Sequence, residues 1–404
     1  MLRRFLKISV ALGAIGSLAL AALLAFLWCE HTRPLVLPVP TGHFAVGRAT
    51  YTWVNDAVSE LLSPSGAEKE TIVAWMWYPA RLSTQSQHAE YFPSAWQGAL
   101  AHRSGVLMTD FLSRDLSSVQ VHSVLNAPVS PEQTSYPVVI MRAGASAFTA
   151  DYTVLAEDLA SHGYIVVDLD APYRTFLVVL PDGRVVERVP TANLNLAGDA
   201  GARLLAEKLL PIWRADIDFA LHQLEGLNDV DPTGRFTGRF DFQRLAALGD
   251  SFGGAQALQF CHEESRCRAA IDIDGIPFGT VIRDGLSKPG MILLSDHSRA
   301  KVDPAAKQVF ADFRSIYVRL PGGYFVTIHG ANHFTFSDQI LLKSRLVVSA
   351  LMAVRVFGHL EPRRGLAITT DYVHTFFDVY LNGAPPSQLA GLAAKYPEVQ
   401  AESH

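Results

Sequence analysis

One short pattern constrains the fold of this chain more than any other: Gly-x-Ser-x-Gly at residues 249–253. An apolar run, residues 245–248, precedes it, and the helix-forming residues 255–258 follow it. A strand, a tight turn and a helix in this order form a nucleophile elbow, in which the turn holds an exposed serine in a strained conformation. Glycine flanks the serine because no Cβ fits where strand, turn and helix crowd together. The pattern predicts that Ser251 is a nucleophile, with a helix N-terminus directed at any anion that forms there.

Length and composition exclude several classes of protein. The 404 residues suffice for one large α/β domain or for two smaller ones, and 49% of them are hydrophobic, which allows a sizeable core. The formal net charge of -5 and the lack of basic blocks argue against a nucleic-acid partner. The sequence has no Cys-x-x-Cys or His-Glu-x-x-His spacing, so we expect no metal and no cofactor. Composition does not predict the oligomeric state.

The N-terminal residues form a separate segment. Residues 8–28 carry no charge and would rise about 31 Å as a helix, enough to cross the hydrocarbon core of a bilayer. Basic residues lie upstream, so the positive-inside rule predicts a cytoplasmic segment at 1–7, a transmembrane anchor, a linker at 29–40 and an extracytoplasmic domain at 41–404. Trp28 favours an uncleaved anchor, because tryptophan suits the membrane interface. The alternatives are a cleaved signal peptide, which would make the protein secreted, and a buried core helix.

Two of the three cysteines, Cys261 and Cys267, bracket a short polar loop after the predicted elbow helix. Disulfides persist outside the cytoplasm, so an extracytoplasmic location allows a bridge between them. The sequence leaves two expectations open: a disulfide that closes this loop, or two separate thiols, one of them buried at the helix end.

Strand and helix patterns alternate through most of the remaining chain. The predicted strands are 71–78, 136–141, 164–169, 268–273, 290–295 and 325–328, and the predicted helices are 152–161, 206–224 and 338–357. Residues 177–180 and 185–189 flank a turn and predict a hairpin inserted on the sheet. Residues 80–135 are hard to place. The alternation predicts an α/β fold with a mostly parallel central sheet and helices on both faces, preceded by the N-terminal transmembrane helix.

A serine hydroxyl is a poor nucleophile, so Ser251 needs a base within hydrogen-bond reach and a carboxylate that orients the base. The base is expected after the last strand, where His329 and His333 both stand. His329 continues the strand directly, and its backbone can be held in the sheet. His333 lies on the following loop, where an imidazole can turn towards the serine, so we favour His333.

Two aspartates compete for the orienting role. Asp274 ends the strand after the elbow, and Asp296 ends the next strand along the chain. Either position can serve in an α/β fold with the order serine, acid, histidine, and the pattern alone does not choose. Asp272 should point to the opposite side of the sheet, and we expect it to cap a turn or form an ion pair. Asp250, beside the serine, is expected to be a turn carboxylate.

Attack on an acyl group also requires donors for the oxyanion that develops. The backbone amide of Phe252, at the predicted helix start, is one candidate. The second donor is expected from the loop after the first central strand, residues 143–147, where small side chains allow the backbone to approach a substrate.

Several further motifs resemble one family. Residues 41–47 read Thr-Gly-His-Phe-Ala-Val-Gly, residues 90–93 read Glu-Tyr-Phe-Pro, and residues 158–166 read Asp-Leu-Ala-Ser-His-Gly-Tyr-Ile-Val. Together with the elbow and residues 268–274 and 330–338, they resemble the plasma-type platelet-activating factor acetylhydrolases and their bacterial relatives. The resemblance covers about residues 41–340 and implies an α/β-hydrolase fold.

The resemblance also implies roles for individual residues. It places the catalytic triad on Ser251, Asp274 and His333, and therefore ranks Asp274 above Asp296. The oxyanion donors fall on the amides of Ala145 and Phe252. The sequence departs from the family at two positions, where histidine is usual: residue 143 is alanine and residue 250 is aspartate. We hypothesise that a carboxylate at position 250 raises the pKa of the catalytic imidazole.

These features predict a membrane-anchored serine esterase with no metal requirement. The resemblance implies short-chain or oxidised acyl groups of phospholipids as substrates, whereas small soluble esters fit the sequence equally well. The alternatives are an acyltransferase or a lactone hydrolase with the same triad, and a binding module that retains the fold without catalysis.

Overall fold

Strands and helices alternate along the chain in the computed structural model, which describes residues 2–145, 147–194, 199–297, 304–353 and 358–404. The strands are β1 (Leu35–Val36), β2 (Ala45–Ser59), β3 (Lys69–Ala80), β4 (His88–Glu90), β5 (Val119–Leu125), β6 (Tyr136–Arg142), β7 (Ile165–Asp170), β8 (Leu177–Val179), β9 (Val185–Glu187), β10 (Phe240–Asp250), β11 (Cys267–Ile273), β12 (Gly290–Leu294), β13 (Gly323–Ile328) and β14 (Val399–Ser403). The α-helices are α1 (Leu2–His31), α2 (Ser94–Ser104), α3 (Thr153–Ser161), α4 (Asp199–Asp229), α5 (Phe252–Glu263), α6 (Val281–Asp284), α7 (Pro304–Tyr317), α8 (Gln339–Leu342), α9 (Arg345–Ala353), α10 (Pro362–Leu381) and α11 (Ser387–Lys395).

Most of these strands form one sheet with the order β1-β5-β2-β3-β7-β6-β10-β11-β12-β13-β14, and β4 pairs with β5 at one side. The six central strands from β7 to β13 are parallel, whereas β3 runs antiparallel to both β2 and β7, and β14 runs antiparallel to β13. Parallel neighbours need crossover connections, and the helices between the central strands supply them. The predicted fold class, a mostly parallel central sheet of the α/β-hydrolase type, is confirmed.

The sheet is buried on both faces, and this explains why its central strands read as apolar runs. Successive side chains of β10 point to opposite faces: Ala246 and Leu248 join one core cluster, and Leu245 and Ala247 join the other. In the register of the sheet, Leu248 stands between Met141 of β6 and Ile271 of β11. The strand that ends at the candidate nucleophile is therefore held at the centre of the molecule.

The helix predicted at 338–357 is wrong, because the chain breaks after α8. Lys343 forms a backbone bridge with Ser113, and the amide of Arg114 donates a hydrogen bond of 2.6 Å to the carbonyl of Leu342. This pairing joins residues that are more than 200 positions apart in the sequence. It occupies backbone groups, such as the Leu342 carbonyl, that would form intrahelical hydrogen bonds in a continuous helix. A second helix, α9, begins at Arg345, and residues 354–357 of the predicted helix lie outside the described residues.

Two other regions differ from the expected pattern. The predicted hairpin is present as β8 and β9, but it forms a separate two-stranded sheet instead of extending the main sheet. Residues 80–135, which show no clear pattern, contain β4, α2 and β5 as well as the single-turn π-helix Leu107–Phe111.

The N-terminal helix α1 is long and apolar enough to cross a membrane. An 18-residue window within its segment Lys7–His31 has a mean hydropathy of 2.4 and is almost entirely exposed, although a signal sequence would pass the same test. The helix continues through residues 29–31 of the predicted linker, and β1 pairs with β5 a few residues later. The part of the chain after Trp28 therefore lies against the domain.

Candidate active site

Ser251 stands on a sharp turn between β10 and α5. Its φ of 57° and ψ of -125° are rare for a residue with a side chain, and such a conformation costs roughly 1–3 kcal/mol. Two hydrogen bonds hold it: the Ser251 amide donates to the carbonyl of Ile273 at 2.8 Å, and the Gly254 amide donates to the carbonyl of Ser251 at 3.0 Å. The geometry is that of the predicted elbow.

The glycines on either side of Ser251 are sterically required. A Cβ on Gly249 would lie 2.2 Å from the carbonyl oxygen of Gly253, and a Cβ on Gly253 would lie 2.1 Å from the carbonyl oxygen of Arg142. Both separations are far inside van der Waals contact. The strand, the helix and the neighbouring strand therefore approach so closely that only glycine fits.

Asp274 follows β11 and has a buried carboxylate with four donors around it. The Ser295 amide and hydroxyl donate at 2.8 and 2.9 Å, His333 Nδ1 donates at 2.8 Å, and His297 Nε2 donates at 2.7 Å. Burial opposes ionisation of this carboxyl, but the hydrogen bonds from His297 and His333 outweigh burial and hold its pKa below the usual range. Asp274 is therefore ionised at neutral pH.

His333 lies on the loop after β13, at the start of a short 3₁₀ turn that Asn332 caps. Its Nδ1 donates a hydrogen bond to Asp274, so Nε2, on the opposite edge of the ring, is the nitrogen that can exchange a proton with a reactant. Burial of the ring lowers the pKa of His333, but the hydrogen bond to Asp274 and the negative charge of Asp250 outweigh burial and raise it to about 9.

The alternative acid and the alternative base lie beside each other. Asp296 Oδ2 accepts a hydrogen bond of 3.1 Å from the Gly330 amide and lies 3.9 Å from His329 Nδ1. The amide of His329 donates to the carbonyl of Glu398, so His329 is held in the backbone pairing of β13 and β14. The structure thus places Asp296 with His329, and Asp274 with His333.

Ser251 and His333 line the same cavity, which has a volume of about 110 Å³ and is called the catalytic cavity below. Gly144, Ala145 and Tyr152 also line it. A Cβ on Gly144 would lie 3.2 Å from the Cβ of Ser251, so the loop after β6 passes directly over the serine. This is the loop predicted to hold an oxyanion donor, although its residue 146 lies outside the described residues. Phe252, the other predicted donor residue, begins α5 directly behind Ser251.

Asp250 does more than terminate a strand. It is buried and lines the catalytic cavity, and its Oδ2 accepts a hydrogen bond of 2.7 Å from the Tyr152 hydroxyl. The same hydroxyl accepts a hydrogen bond of 3.3 Å from the Gly144 amide, which links Asp250 to the loop over the serine. Burial raises the pKa of Asp250 to about 6, although His333 and Tyr152 oppose this rise.

Two contacts at the site were not predicted from the sequence. His297 donates to Oδ1 of Asp274 while His333 donates to Oδ2, and His297 stands next to Asp296, the alternative acid that the sequence offered. Arg188 Nη1, after β9, donates a hydrogen bond of 2.5 Å to the carbonyl of Ala145. Nothing in the local sequence connects the hairpin with this loop, so only the tertiary structure shows the contact.

Asp272 caps a turn, which is one of the two roles expected for it. Its Oδ1 accepts a hydrogen bond of 2.8 Å from the Gly275 amide at the end of β11.

A disulfide between Cys261 and Cys267, whose Cα atoms are 5.1 Å apart, closes the loop after α5. Of the two arrangements that the sequence left open, a bridge or two separate thiols, the structure therefore has the bridge.

Among the described residues, one group of potential metal ligands lies away from Ser251: Asp158, His162 and His374, whose ligand atoms lie within 4.8 Å of one another. These atoms already serve as hydrogen-bond partners. Asp158 binds His374 Nδ1 at 2.8 Å and the amide and hydroxyl of Thr41 at 2.9 and 2.8 Å. The group therefore ties the N-terminal Thr41 motif to α3 and α10.

Comparison with solved structures supports the description of the fold. The chain superposes on a ferulic acid esterase from Streptomyces cinnamoneus with a TM-score of 0.71 and 24% sequence identity, covering 91% of this chain and 99% of the esterase. At this level of identity the likeness establishes the fold alone.

Curated relatives are distant in sequence. A "Probable 1-alkyl-2-acetylglycerophosphocholine esterase" of Arthroderma benhamiae is 24% identical over 283 residues, which is 65% of this chain and 65% of the relative. The platelet-activating factor acetylhydrolase of Cavia porcellus is 21% identical over 354 residues, with 79% of this chain and 75% of the relative covered. The chain thus spans about two thirds to three quarters of the length of these relatives.

A family model described as platelet-activating factor acetylhydrolase, isoform II, matches residues 32–172 and 227–383. The match reaches further towards both ends than the motifs at 41–340 indicated, and it leaves out residues 173–226, which contain β8, β9 and most of α4. Because the matched segments make up well over half of the sequence, this α/β-hydrolase chain belongs to the platelet-activating factor acetylhydrolase isoform II family.

Proposed function

We propose that the protein is a serine esterase that hydrolyses carboxylic esters. One observation carries this proposal: a serine in a strained elbow shares a cavity with a histidine whose other ring nitrogen is held by a buried carboxylate. Nucleophile, base and orienting acid in this relation are the requirements for acyl transfer through a covalent intermediate. The names of the curated relatives agree with it.

In the proposed mechanism, Ser251 Oγ attacks the ester carbonyl and its proton passes to Nε2 of His333. The backbone amides of Ala145 and Phe252 donate hydrogen bonds to the oxyanion of the tetrahedral intermediate. When the intermediate collapses, the C–O bond to the alcohol breaks and the imidazolium delivers its proton to that alcohol. Water, deprotonated by the same imidazole, then attacks the acyl carbonyl; the bond from this carbon to Ser251 Oγ breaks, the imidazolium returns its proton to Oγ, and the acid is released.

Asp274 is proposed to hold the base in the correct tautomer and to stabilise the imidazolium. Its low pKa keeps it negative through the cycle, so the proton stays on His333 until the alcohol accepts it. The hydrogen bonds from Ser295 fix the carboxylate without adding a charge. Asp296, next to His329, has no part in this mechanism.

Phospholipids with short or oxidised acyl groups are the proposed substrates. The relatives are named for platelet-activating factor and for 1-alkyl-2-acetylglycerophosphocholine. The small volume of the catalytic cavity, about 110 Å³, favours a short acyl group next to Ser251.

Helix α1 is proposed to anchor the enzyme in a membrane, with residues 1–7 cytoplasmic and the catalytic domain outside the cytoplasm. Such an arrangement keeps the enzyme at the surface where its substrates reside.

Labelling with a fluorophosphonate tests the mechanism, because this reagent phosphonylates only activated serines. We expect one adduct, mapped to Ser251 by peptide mass spectrometry, and no adduct in Ser251→Ala or His333→Ala. His329→Ala and Asp296→Asn are matched controls that remove a histidine and a carboxylate close by, and both should label at the wild-type rate. An unlabelled wild type, or a dead Asp296→Asn beside an active Asp274→Asn, would show that the proposal is wrong.

A further inference from the structure

A second and larger cavity lies between the catalytic cavity and the end of α1. Its volume is about 390 Å³, and most of the surface that lines it is apolar, contributed among others by Phe92, Leu100, Met108, Leu116, Phe148 and Phe176. Charged side chains also line it, among them Asp110, Arg114, Asp115, Asp151 and Lys343. Gln339 lines both this cavity and the catalytic cavity, so the two adjoin at that side chain. A mostly apolar cavity of this size suits a flexible hydrocarbon ligand. We call it the chain cavity.

The chain cavity also reaches the last turn of α1, because His31 lines it. That turn is clamped to the domain. The side-chain Oε2 of Glu30 accepts hydrogen bonds of 2.8 and 2.9 Å from the Ser344 hydroxyl and the Arg345 amide, and the Glu30 carbonyl accepts one of 2.9 Å from Arg114 Nη1. His31 Nδ1 lies 3.0 Å from the Ser113 carbonyl. The last turn of α1 is thus fixed to the domain, and its final residue, His31, forms part of the cavity wall.

The surface beside this clamp is apolar. Val106, Leu107 and Met108 are consecutive and all exposed, and the π-helical turn that includes the latter two packs against α1. The rings of Phe111 and Trp28 lie 6.1 Å apart across that contact. If α1 spans a bilayer, as proposed above, these side chains lie at the level of the lipid headgroups, where exposed apolar groups are stable. We call residues 106–108 the rim.

We propose that the chain cavity receives the long hydrocarbon chain of a membrane phospholipid, which enters from the bilayer at the rim while the short ester lies at Ser251. This inference rests on the proposed function. The position of the proposed anchor would let the chain leave the bilayer without crossing water, because α1 ends at His31, which lines the cavity. The chain cavity would therefore add to the affinity for the long chain, whereas the short ester alone reaches Ser251.

The test compares two lipids that share a 2-acetyl ester and differ in the other chain, one with 16 carbons and one with 4. The full-length protein is reconstituted in phosphatidylcholine vesicles, and p-nitrophenyl acetate reports on the catalytic centre alone. Ser104→Trp, in the wall of the chain cavity, should lower kcat/KM for the long-chain lipid at least tenfold. It should leave p-nitrophenyl acetate and the short-chain lipid within about twofold of wild type. Ser65→Trp, at an exposed serine that does not line the cavity, is the control.

A second pair of variants tests entry at the rim. Leu107→Asp places a charge at the rim and should slow hydrolysis of the vesicle-embedded lipid, whereas Leu61→Asp places the same charge at another exposed leucine and should not. An equal effect of Ser104→Trp on long and short lipids, or an equal effect of the two leucine variants, would overturn the inference. Failure of the proposed function is distinguishable, because wild type would then not hydrolyse p-nitrophenyl acetate at all.

Discussion

Asp250 stands where the family usually has histidine, and its replacement tests the electrostatics of the proposed base. Asp250→Asn removes one negative charge beside His333 and preserves the size of the side chain. The side chain is buried, and the hydrogen bond that its Oδ2 accepts from the Tyr152 hydroxyl can also be accepted by an asparagine oxygen. The variant therefore changes charge and little of the packing.

The size of the effect follows from the groups that surround His333. Its pKa is raised from 6.5 to about 9, and the charge of Asp250 is the largest raising effect after the hydrogen bond to Asp274. The charges of Asp274 and Asp272 contribute the remainder of the rise, against the opposing effect of burial. Four effects thus raise the pKa of His333: the hydrogen bond to Asp274 and the three carboxylate charges. Asp250→Asn removes one of these charges and should lower the pKa of His333 by about 1 unit.

The sign of the change in activity follows from the role of the base. His333 must be neutral to accept a proton, and a fall of its pKa from about 9 to about 8 raises the neutral fraction at pH 7 roughly tenfold. A base of lower pKa is also weaker, which offsets part of this gain. We expect kcat/KM of Asp250→Asn to exceed wild type a few-fold at pH 7 and to fall below wild type above about pH 10.

The assay is the dependence of kcat/KM on pH with a soluble ester. The acid limb should move about 1 unit to lower pH in Asp250→Asn, and the two profiles should converge below about pH 6, where wild-type Asp250 is itself protonated. Tyr152→Phe is the control, because it removes the hydroxyl that bonds Asp250 but keeps the charge, so its acid limb should stay in place. An acid limb that stays, or moves to higher pH, in Asp250→Asn would refute the reasoning.

Three further predictions concern His297, Asp170 and the disulfide. His297→Ala removes a charge-assisted hydrogen bond to Asp274 worth about 1.5 kcal/mol and should lower kcat/KM about tenfold, less than Asp274→Asn in the same ester assay. Burial raises the pKa of Asp170 to about 8, so folding favours its protonated form and stability falls as pH rises from about 4 to 8. The advantage of Asp170→Asn in urea unfolding should grow over that range, and a constant difference would contradict it. Replacing Cys261 and Cys267 by alanine should lower the free energy of unfolding by about 2 kcal/mol.

The central sheet could be predicted from the sequence because its strands are buried on both faces. Runs such as residues 136–141 and 290–294 contain almost only apolar residues, and the structure places strands there. The elbow was equally predictable, because its glycines are required by close backbone approaches. A Cβ on Gly249 would collide with Gly253 in the same turn, and a Cβ on Gly253 would collide with Arg142 of the adjacent strand. Local sequence carries these features because local sterics and burial determine them.

Features that depend on distant contacts could not be predicted. The break after α8 is caused by pairing with residues 112–114, and apolar periodicity alone continues through it. The choice between Asp274 and Asp296 also depended on tertiary structure: both end a strand, and only the family resemblance ranked them. His297 escaped prediction for the same reason, since the path of the loop after β12 decides which side chain reaches Asp274.

The most direct test of the account is to trap the acyl-enzyme. Stopped-flow mixing with p-nitrophenyl acetate should give a burst of p-nitrophenol equal to the concentration of active sites, followed by slower turnover. Acid quenching during the burst should yield a peptide with one acetyl group on Ser251. Turnover with no burst and with unmodified Ser251, or an acetyl group on another residue, would contradict the account.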